Sequence, residues 1–176
     1  MFNQSDLIDR TSLLRNRIRF DAVRSGFLQE EAILEARERL SFVNKSFKSM
    51  VIITPFPQIW RKSFPEATMI LDDDVLNFGS QKFDLVLHVM SLHWSNDPLG
   101  QMIQCMRALH PDGLFISSLM GGETLHELRS AFAKAENDVT GGLSPRVLPM
   151  ADIRDLGALL QRAGFALPVV DSVRLT

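Results

Sequence analysis

The stretch that decides the fold is FDLVLHVMSLHW, residues 83–94. Its first eight residues, Phe83–Met90, form an apolar run interrupted only by Asp84 and His88, which is typical of a strand buried inside a parallel sheet. Asn96-Asp97-Pro98 follows and supplies a helix cap with proline in the first turn. The apolar residues after it then recur at helical spacing up to Leu109. A buried strand that leads directly into a helix predicts one βαβ unit.

Further strand and helix signals lie on both sides of this unit. Strand candidates are Met50–Ile53, Ala67–Leu71, Leu114–Leu119 and Leu167–Leu175. The alternation predicts an α/β fold with a Rossmann-like, mostly parallel sheet and helices on both faces. Only Thr54–Thr68 separates the first two strands, so we expect the first βαβ region to be shortened. The far, C-terminal edge of the sheet is expected to be incomplete.

An N-terminal helical segment, residues 1–48, precedes the Rossmann domain of residues 49–176, and the two are expected to form one structural unit. Its apolar residues recur at helical spacing and predict one buried face. They are Leu28, Ala32, Ile33, Ala36, Leu40, Val43 and Phe47. A basic stretch comes earlier and favours a solvated helix face over a flap or partner surface. It contains Arg10, Arg15, Arg17, Arg19 and Arg24.

Two more helices are predicted in the C-terminal third. After Gly121-Gly122, a helix is expected to turn Leu125, Leu128, Phe132 and Ala135 inward. Residues 141–146, GGLSPR, form a loop. A last amphipathic helix, with Ile153, Leu156, Leu159, Leu160 and Ala163 on its apolar face, is expected to stop at Gly164.

Composition limits the classes of function. The 176 residues are 45% hydrophobic and 23% charged, as in an ordinary globular protein. A net charge of −2 gives no reason to expect nucleic-acid binding, and no apolar run is long enough for membrane insertion. The single cysteine, Cys105, is most simply explained by a cytoplasmic location. The histidines and Cys105 lack the spacing of zinc ligands, so we expect no metal site.

The residues directly after each strand are the candidates for binding, because ligands of doubly wound sheets lie beyond the carboxyl ends of the strands. Asp72, Asp73 and Asp74 could accept hydrogen bonds, or form a solvated turn in which Asp72 or Asp74 caps a helix. His93 and Trp94 could close a pocket or fill core space. For His88, a hydrogen-bonded core histidine is favoured over a general base.

The strings FDLVLHVMSLHW, HPDGLFISSLMGGETLHELR (110–129) and GGLSPRVLPMADIRDLGALLQRAGF (141–165) together resemble a class I S-adenosylmethionine-dependent methyltransferase. More narrowly, they are similar to the branch that holds malonyl-carrier-protein methyltransferases of biotin synthesis and the bacterial relatives of a mitochondrial complex I assembly factor. The latter type is the nearer match, since IDRTSLLRNRIRF (8–20) also resembles it.

This resemblance implies roles for individual positions. Asp72 or Asp73 would hydrogen-bond the adenine amino group, and His88, Leu92 and His93 would border the methionine side of the cofactor S-adenosylmethionine. On the acceptor side, Trp94, Gly121, Gly122 and Glu123 would line the pocket, with Ser144 and Arg146 near its rim. No catalytic acid or base is assigned, since methyl transfer is an in-line displacement that needs mainly positioning.

One departure from the family pattern bears on function. The glycine-rich loop after the first strand is replaced by Thr54-Pro55-Phe56-Pro57, where two prolines remove backbone donors and Phe56 adds bulk. Two functions therefore stay open: methyl transfer to a small carboxylate, an acyl group or a protein, and a catalytically degenerate assembly or binding partner. An unpaired sheet edge would also favour a homodimer.

Overall fold

A computed structural model describes residues 6–21 and 26–175. Its sheet contains four parallel strands in the order β2-β1-β3-β4, with β1 at Met50–Ile53, β2 at Thr68–Ile70, β3 at Phe83–Val89 and β4 at Leu109–Ser118. The helices are α1 Arg10–Arg17, α2 Phe27–Ser41, α3 Pro57–Ser63, α4 Pro98–Ala108, α5 His126–Thr140 and α6 Ile153–Arg162. The expected α/β class and the parallel sheet are confirmed.

The side chains of β1 and β3 alternate between two apolar layers, as the period of two in a strand requires. On one face, Ile52 and Leu87 pack in a cluster with Ala32 and Ile33 of α2 and Trp60 of α3. On the other face, Val51, Ile53 and Val86 pack in a cluster with Cys105 and Ala108 of α4. The sheet thus has helices on both faces, and the N-terminal helix α2 contributes directly to its core.

Helix α4 begins where its sequence predicts. The Asp97 carboxylate accepts a hydrogen bond from the backbone N–H of Gly100 at 2.8 Å, and Pro98 occupies the first turn. Helix α6 ends as expected, with Gly164 in the left-handed conformation at φ +93°. A third cluster joins Met102 of α4 to Ala163 at the end of α6.

Several expectations are wrong. Helix α2 ends at Ser41, so Val43 and Phe47 lie beyond it. Strand β4 begins at Leu109, and residues 110–113 form an irregularity within it where Leu109 pairs with Phe83 and Leu114 with Leu85. Residues 167–175 contain no strand. The proposed basic residue Arg24 lies outside the described residues.

The largest correction concerns α5. Leu125, Leu128 and Phe132 were expected to face inward, yet their exposed fractions are 51%, 43% and 45%, and Ala135 is exposed as well. Leu125 precedes the helix, in the left-handed conformation. The spacing correctly predicts a shared face, but no described element covers that face.

Candidate cofactor cleft

A cavity of about 330 Å³ lies at the carboxyl ends of β1, β3 and β4. That is where doubly wound sheets bind ligands, and the volume falls at the lower end of the range for small-molecule sites. Its floor is formed by residues that follow the strands: Pro55, Phe56, Met90, His93, Trp94 and Met120. Its roof is formed by the N-terminal segment: Leu13, Asn16, Arg17, Arg19, Phe20, Leu28 and Gln29.

The altered loop after β1 forms part of this floor. The backbone N–H of Phe56 is bonded to the Thr54 hydroxyl at 3.2 Å, and Pro55 has no N–H to offer. The Phe56 ring stacks on Phe20 with 4.0 Å between ring centroids. The loop therefore offers a ligand an aromatic surface where a glycine-rich loop would offer bare backbone.

Met90 ends β3 in an unusual conformation. Its φ is +51°, which is rare for a residue with a long side chain. The backbone N–H of Met90 is bonded to the Ser118 carbonyl at 2.7 Å, so β4 fixes this turn. The short 3-10 turn Leu92–Trp94 follows and brings His93 and Trp94 to the cavity.

His93 carries a buried polar atom without a partner. Its Nδ1 accepts the N–H of Met120 at 3.4 Å, while its Nε2 is buried and makes no hydrogen bond. Burial lowers the pKa of His93 to about 4, and the charge of Arg17 acts in the same direction. The imidazole is therefore neutral near pH 7, with its proton on Nε2.

His88 lies one layer deeper, inside β3. Its ring is fully buried, and Nε2 is 2.9 Å from the Gln101 side-chain oxygen. The amide of Gln101 donates to the backbone carbonyl of Asp73 at 3.0 Å. Burial lowers the pKa of His88, which keeps the ring neutral. The interpretation as a hydrogen-bonded core histidine is confirmed, whereas its proposed contact with the cofactor stays a prediction.

Asp72 is buried, and Arg17 of α1 holds its carboxylate. Two parallel hydrogen bonds of 2.9 and 2.8 Å join the guanidinium to the two carboxylate oxygens. Arg10 donates to the backbone carbonyl of Asp72 at 2.9 Å and reaches the exposed carboxylate of Asp73 at 3.4 Å. The alternative interpretation, in which Asp72 is a solvated helix cap, is wrong.

The expected acceptor-side residues are divided between two places. Trp94 lines the cavity, and Gly121, Gly122 and Glu123 follow β4 just beyond Met120, outside the cavity lining. Ser144 and Arg146 lie in the loop after α5, where both side chains bond to Glu136. Their role at a pocket rim therefore stays a prediction.

Sequence reasoning missed the roof of the cavity, since the basic stretch was interpreted as a solvated face. One signal was available: Arg10 and Arg17 are seven residues apart, which places them on one side of a helix two turns long. Both meet the Asp72–Asp73 corner, while Arg15 bonds to Ser12 of its own helix.

The closed arrangement of these side chains does not fit S-adenosylmethionine. An adenine amino group needs an acceptor, yet Arg17 stands in the cavity wall and holds the Asp72 carboxylate, which does not line the cavity. The loop after β1 has no glycine to bring its backbone close to the ligand. The position of the cavity suits the cofactor, but its present polar groups do not.

Comparison with known proteins supports the assignment of the fold. A family model described as a methyltransferase domain matches residues 55–117. A methyltransferase structure from Thermotoga maritima aligns with 88% of this chain and 81% of its own, with a TM-score of 0.57 and 14% identity. One chain of a complex between the Haloferax volcanii Trm112 activator and a methyltransferase aligns with a TM-score of 0.58 at 13% identity, over 86% of this chain and 75% of that one. These likenesses show the fold.

Curated relatives identify the branch. The human mitochondrial arginine-hydroxylase NDUFAF5 is 37% identical over 130 residues, 74% of this chain and 38% of that protein. The malonyl-[acyl-carrier protein] O-methyltransferase of Laribacter hongkongensis is 34% identical over 117 residues, 65% of this chain and 37% of its own. The chain belongs to the class I methyltransferase family. Within it, this methyltransferase-like chain lies on the branch of these two relatives and spans less than two fifths of the length of either.

The described residues contain neither a candidate membrane span nor a candidate metal cluster. Among them, no helix combines the length and apolar character needed to cross a membrane. Within the same part of the chain, no three histidine, cysteine or acidic side chains are grouped as metal ligands would be.

Proposed function

We propose that this chain is an S-adenosylmethionine-dependent methyltransferase-like protein that transfers a methyl group to a small carboxylate, an acyl group or a protein side chain. The observation that carries the proposal is the cavity at the carboxyl ends of β1, β3 and β4. It lies where this fold binds ligands, and the aromatic side chains of Phe56 and Trp94 form part of its wall.

The aromatic rings of this cleft suit a reaction that depends on positioning, although its polar groups in the closed arrangement do not suit the cofactor. When bound, S-adenosylmethionine would supply an activated methyl group, and transfer of that group to an acceptor needs no acid or base from the protein. His93 is neutral and Trp94 lies against it with 5.1 Å between ring centroids. Together these two rings form a fixed wall that orients an acceptor and excludes water from it.

A methyl-transfer assay tests this function. The protein would be incubated with S-adenosylmethionine labelled in its methyl group, and with malonyl thioesters or denatured cell protein as acceptors. Label in an acceptor, lost in Trp94→Ala but retained in Trp60→Phe, supports the proposal. Absence of label with every acceptor, under conditions in which the protein binds the cofactor, contradicts methyl transfer.

A second function is favoured by one specific observation. Helix α5 contains no buried residue, and Leu128, Phe132 and Val139 are exposed on it. An apolar surface of this kind fits a protein partner, as in a degenerate methyltransferase-fold protein of the respiratory-complex assembly type. Leu128→Glu combined with Phe132→Glu would abolish partner capture without moving the thermal midpoint, because both side chains are exposed. Unchanged capture by this double variant contradicts the assembly role.

Two smaller proposals complete the assignment. The outer edge of β4 has no strand partner among the described residues, so a second copy of the chain could pair there as a homodimer. A monomer mass by light scattering, at a protein concentration of about 100 µM that would populate a weak dimer, would contradict the homodimer.

A cytoplasmic location fits the single buried Cys105, and recovery of the protein in another cell fraction would overturn that proposal.

A further inference from the structure

The N-terminal segment 8–20, which we name the strap, covers the cleft without burying its own helix. No residue of α1 is buried. The strap is held instead by contacts at four places. Arg10 bonds to the backbone carbonyl of Asp72 and to the Asp73 carboxylate, and Arg17 pairs with the Asp72 carboxylate. Phe20 stacks on Phe56, and two hydrogen bonds of 2.8 and 3.0 Å join the Ile8 backbone to the Asn96 side chain. Among residues 8–20, Ile8 at 7% exposure is the one buried apolar side chain, and a segment with so little buried apolar area can open locally without global unfolding.

The ion pair joins two groups that are both shielded from water. The side chains of Arg17 and Asp72 are 13% and 5% exposed, and the pair is bidentate. Separating these two groups within the closed arrangement would leave both charges shielded from water and unpaired, and Arg10 of the same strap also lies 3.7 Å from the Asp72 carboxylate through its Nη1. The strap is therefore either closed on Asp72 or released from it.

The guanidinium also separates the carboxylate from the cavity. Arg17 lines the cavity, and Asp72 does not. A ligand in the closed cavity meets a cation at this corner, whereas the released strap would present the Asp72 carboxylate. The closed and released states thus offer opposite charges to the same ligand atom.

We propose that the strap is an autoinhibitory latch: Arg17 occupies Asp72 in the closed state, and a nucleoside ligand with an amino group gains Asp72 only when Arg17 releases it. The identity of the ligand rests on the proposed function, but the latch itself does not. For a ligand that binds only the released state, the apparent affinity is the intrinsic affinity multiplied by the fraction of molecules in that state. Weakening the latch therefore strengthens binding.

Two measurements on the full chain test the latch. The first is acrylamide quenching of tryptophan fluorescence without ligand, which reports on Trp94 because the other tryptophan, Trp60, is fully buried. The second is titration with S-adenosylhomocysteine. The variants are Arg17→Met, which keeps the length of the side chain, and Asn96→Ala, which removes the Ile8 contacts and leaves the ion pair intact. Arg15→Met on the same helix is the matched control.

The latch predicts that Arg17→Met and Asn96→Ala both increase quenching, and that S-adenosylhomocysteine binds Arg17→Met about fivefold or more tightly than the parent. Arg15→Met should match the parent in both measurements. Unchanged quenching in the two latch variants overturns the proposal, and so does weaker binding by Arg17→Met, which would make Arg17 a support of the site. If Arg17→Met fails to fold, as judged by circular dichroism, quenching of Asn96→Ala decides between a releasable and a fixed strap.

The latch and the cofactor assignment can fail separately. Increased quenching in both latch variants, with no S-adenosylhomocysteine bound by any chain at millimolar concentration, supports a releasable strap and removes the cofactor assignment. Binding by the parent that neither variant alters, with quenching also unchanged, supports the cofactor and removes the latch.

Discussion

Residues 50–118 and residues 119–175 use similar apolar content in different ways. In the first region, Val51, Ile52, Ile53, Leu85 and Leu87 are completely buried between two helix layers. In the second region, Ala163 is the one buried hydrophobic residue of those the structure describes. Large apolar side chains on α5, beside its two ends and in the C-terminal segment stay exposed: Leu125, Leu128, Phe132, Val139, Leu143, Leu167, Val169, Val173 and Leu175.

This difference shows what periodicity can and cannot predict. The spacing of apolar residues fixes which side chains share a face, because helices and strands have fixed periods. Whether the face is covered depends on a second element that lies against it. The strands have that element on both sides, whereas the stripe on α5 does not. The first region should therefore contribute most of the stability of the fold.

The largest effect should come from Trp60→Ala. This residue is fully buried, and its indole N–H donates to Gln29 at 2.9 Å, so the change leaves both a cavity and an unpartnered buried oxygen. We expect a loss of about 3–5 kcal/mol in the free energy of unfolding. The matched change Phe132→Ala on α5 should cost much less, within about 1 kcal/mol. Urea denaturation measures both, and equal losses would contradict the contrast.

The next largest effect should come from Asp72→Ala, because it leaves the Arg17 cation, whose side chain is only 13% exposed, without its paired carboxylate. We expect a loss of about 3 kcal/mol. Asp73→Ala is the control: its side chain is 66% exposed and its contact with Arg10 is 3.4 Å, so the loss should stay below about 1 kcal/mol. A similar small loss for both variants in urea would mean that the Arg17 pair is not shielded from water.

Acid should weaken the cleft through His93. Its pKa is about 4 in the folded protein and about 6.5 in an unfolded chain, so the unfolded state binds more protons between these values. Stability is therefore fully present above pH 6.5 and falls as the pH drops toward 4. Between pH 7.5 and 5.5, the wild type should lose about 1 kcal/mol more than His93→Gln. Parallel urea midpoints for the two proteins across this range would refute the burial of His93.

The smallest effect is expected in the loop after α5. Glu136 accepts hydrogen bonds from Ser144 and Arg146, and these bonds hold its pKa at about 2. Glu136→Gln removes the charge and should speed tryptic cleavage after Arg146 without moving the thermal midpoint. Glu127→Gln, in the first turn of α5 and far from the loop, should leave the cleavage rate unchanged. Equal cleavage of Glu136→Gln and the parent would show that this cluster does not order the loop.

The sheet was predictable because its strands carry their own signals. The FDLVLHV run, the Asp97-Pro98 cap and the Gly164 stop each lie where local physics places them. Strand β4 was predicted too short, because HPDG resembles a turn and only pairing with Phe83 places Leu109 in the sheet. The segment 167–175 has strand spacing, but in the structure no neighbouring strand pairs with it.

The cleft was predictable only in part. His93 and Trp94 follow β3 and line the cavity, as their position at a strand end indicates. The roof was not predictable from local patterns, since Arg17 meets Asp72 across 55 positions of the chain. Seven-residue spacing of Arg10 and Arg17 shows that they share a face, but nothing in the sequence indicates that this face meets an acidic corner.

The central claim is that the cleft at the ends of β1, β3 and β4 binds S-adenosylmethionine when the strap releases Asp72. The most direct test is a thermal denaturation series with S-adenosylmethionine and S-adenosylhomocysteine. A hundredfold excess over the dissociation constant should stabilise the fold by about 2.7 kcal/mol, which raises the midpoint of a chain this size by roughly 5–10 °C. We predict such a rise, and its loss when Asp72→Ala and Asp73→Ala are combined. No rise at millimolar ligand, in the parent and in Arg17→Met alike, would contradict the claim.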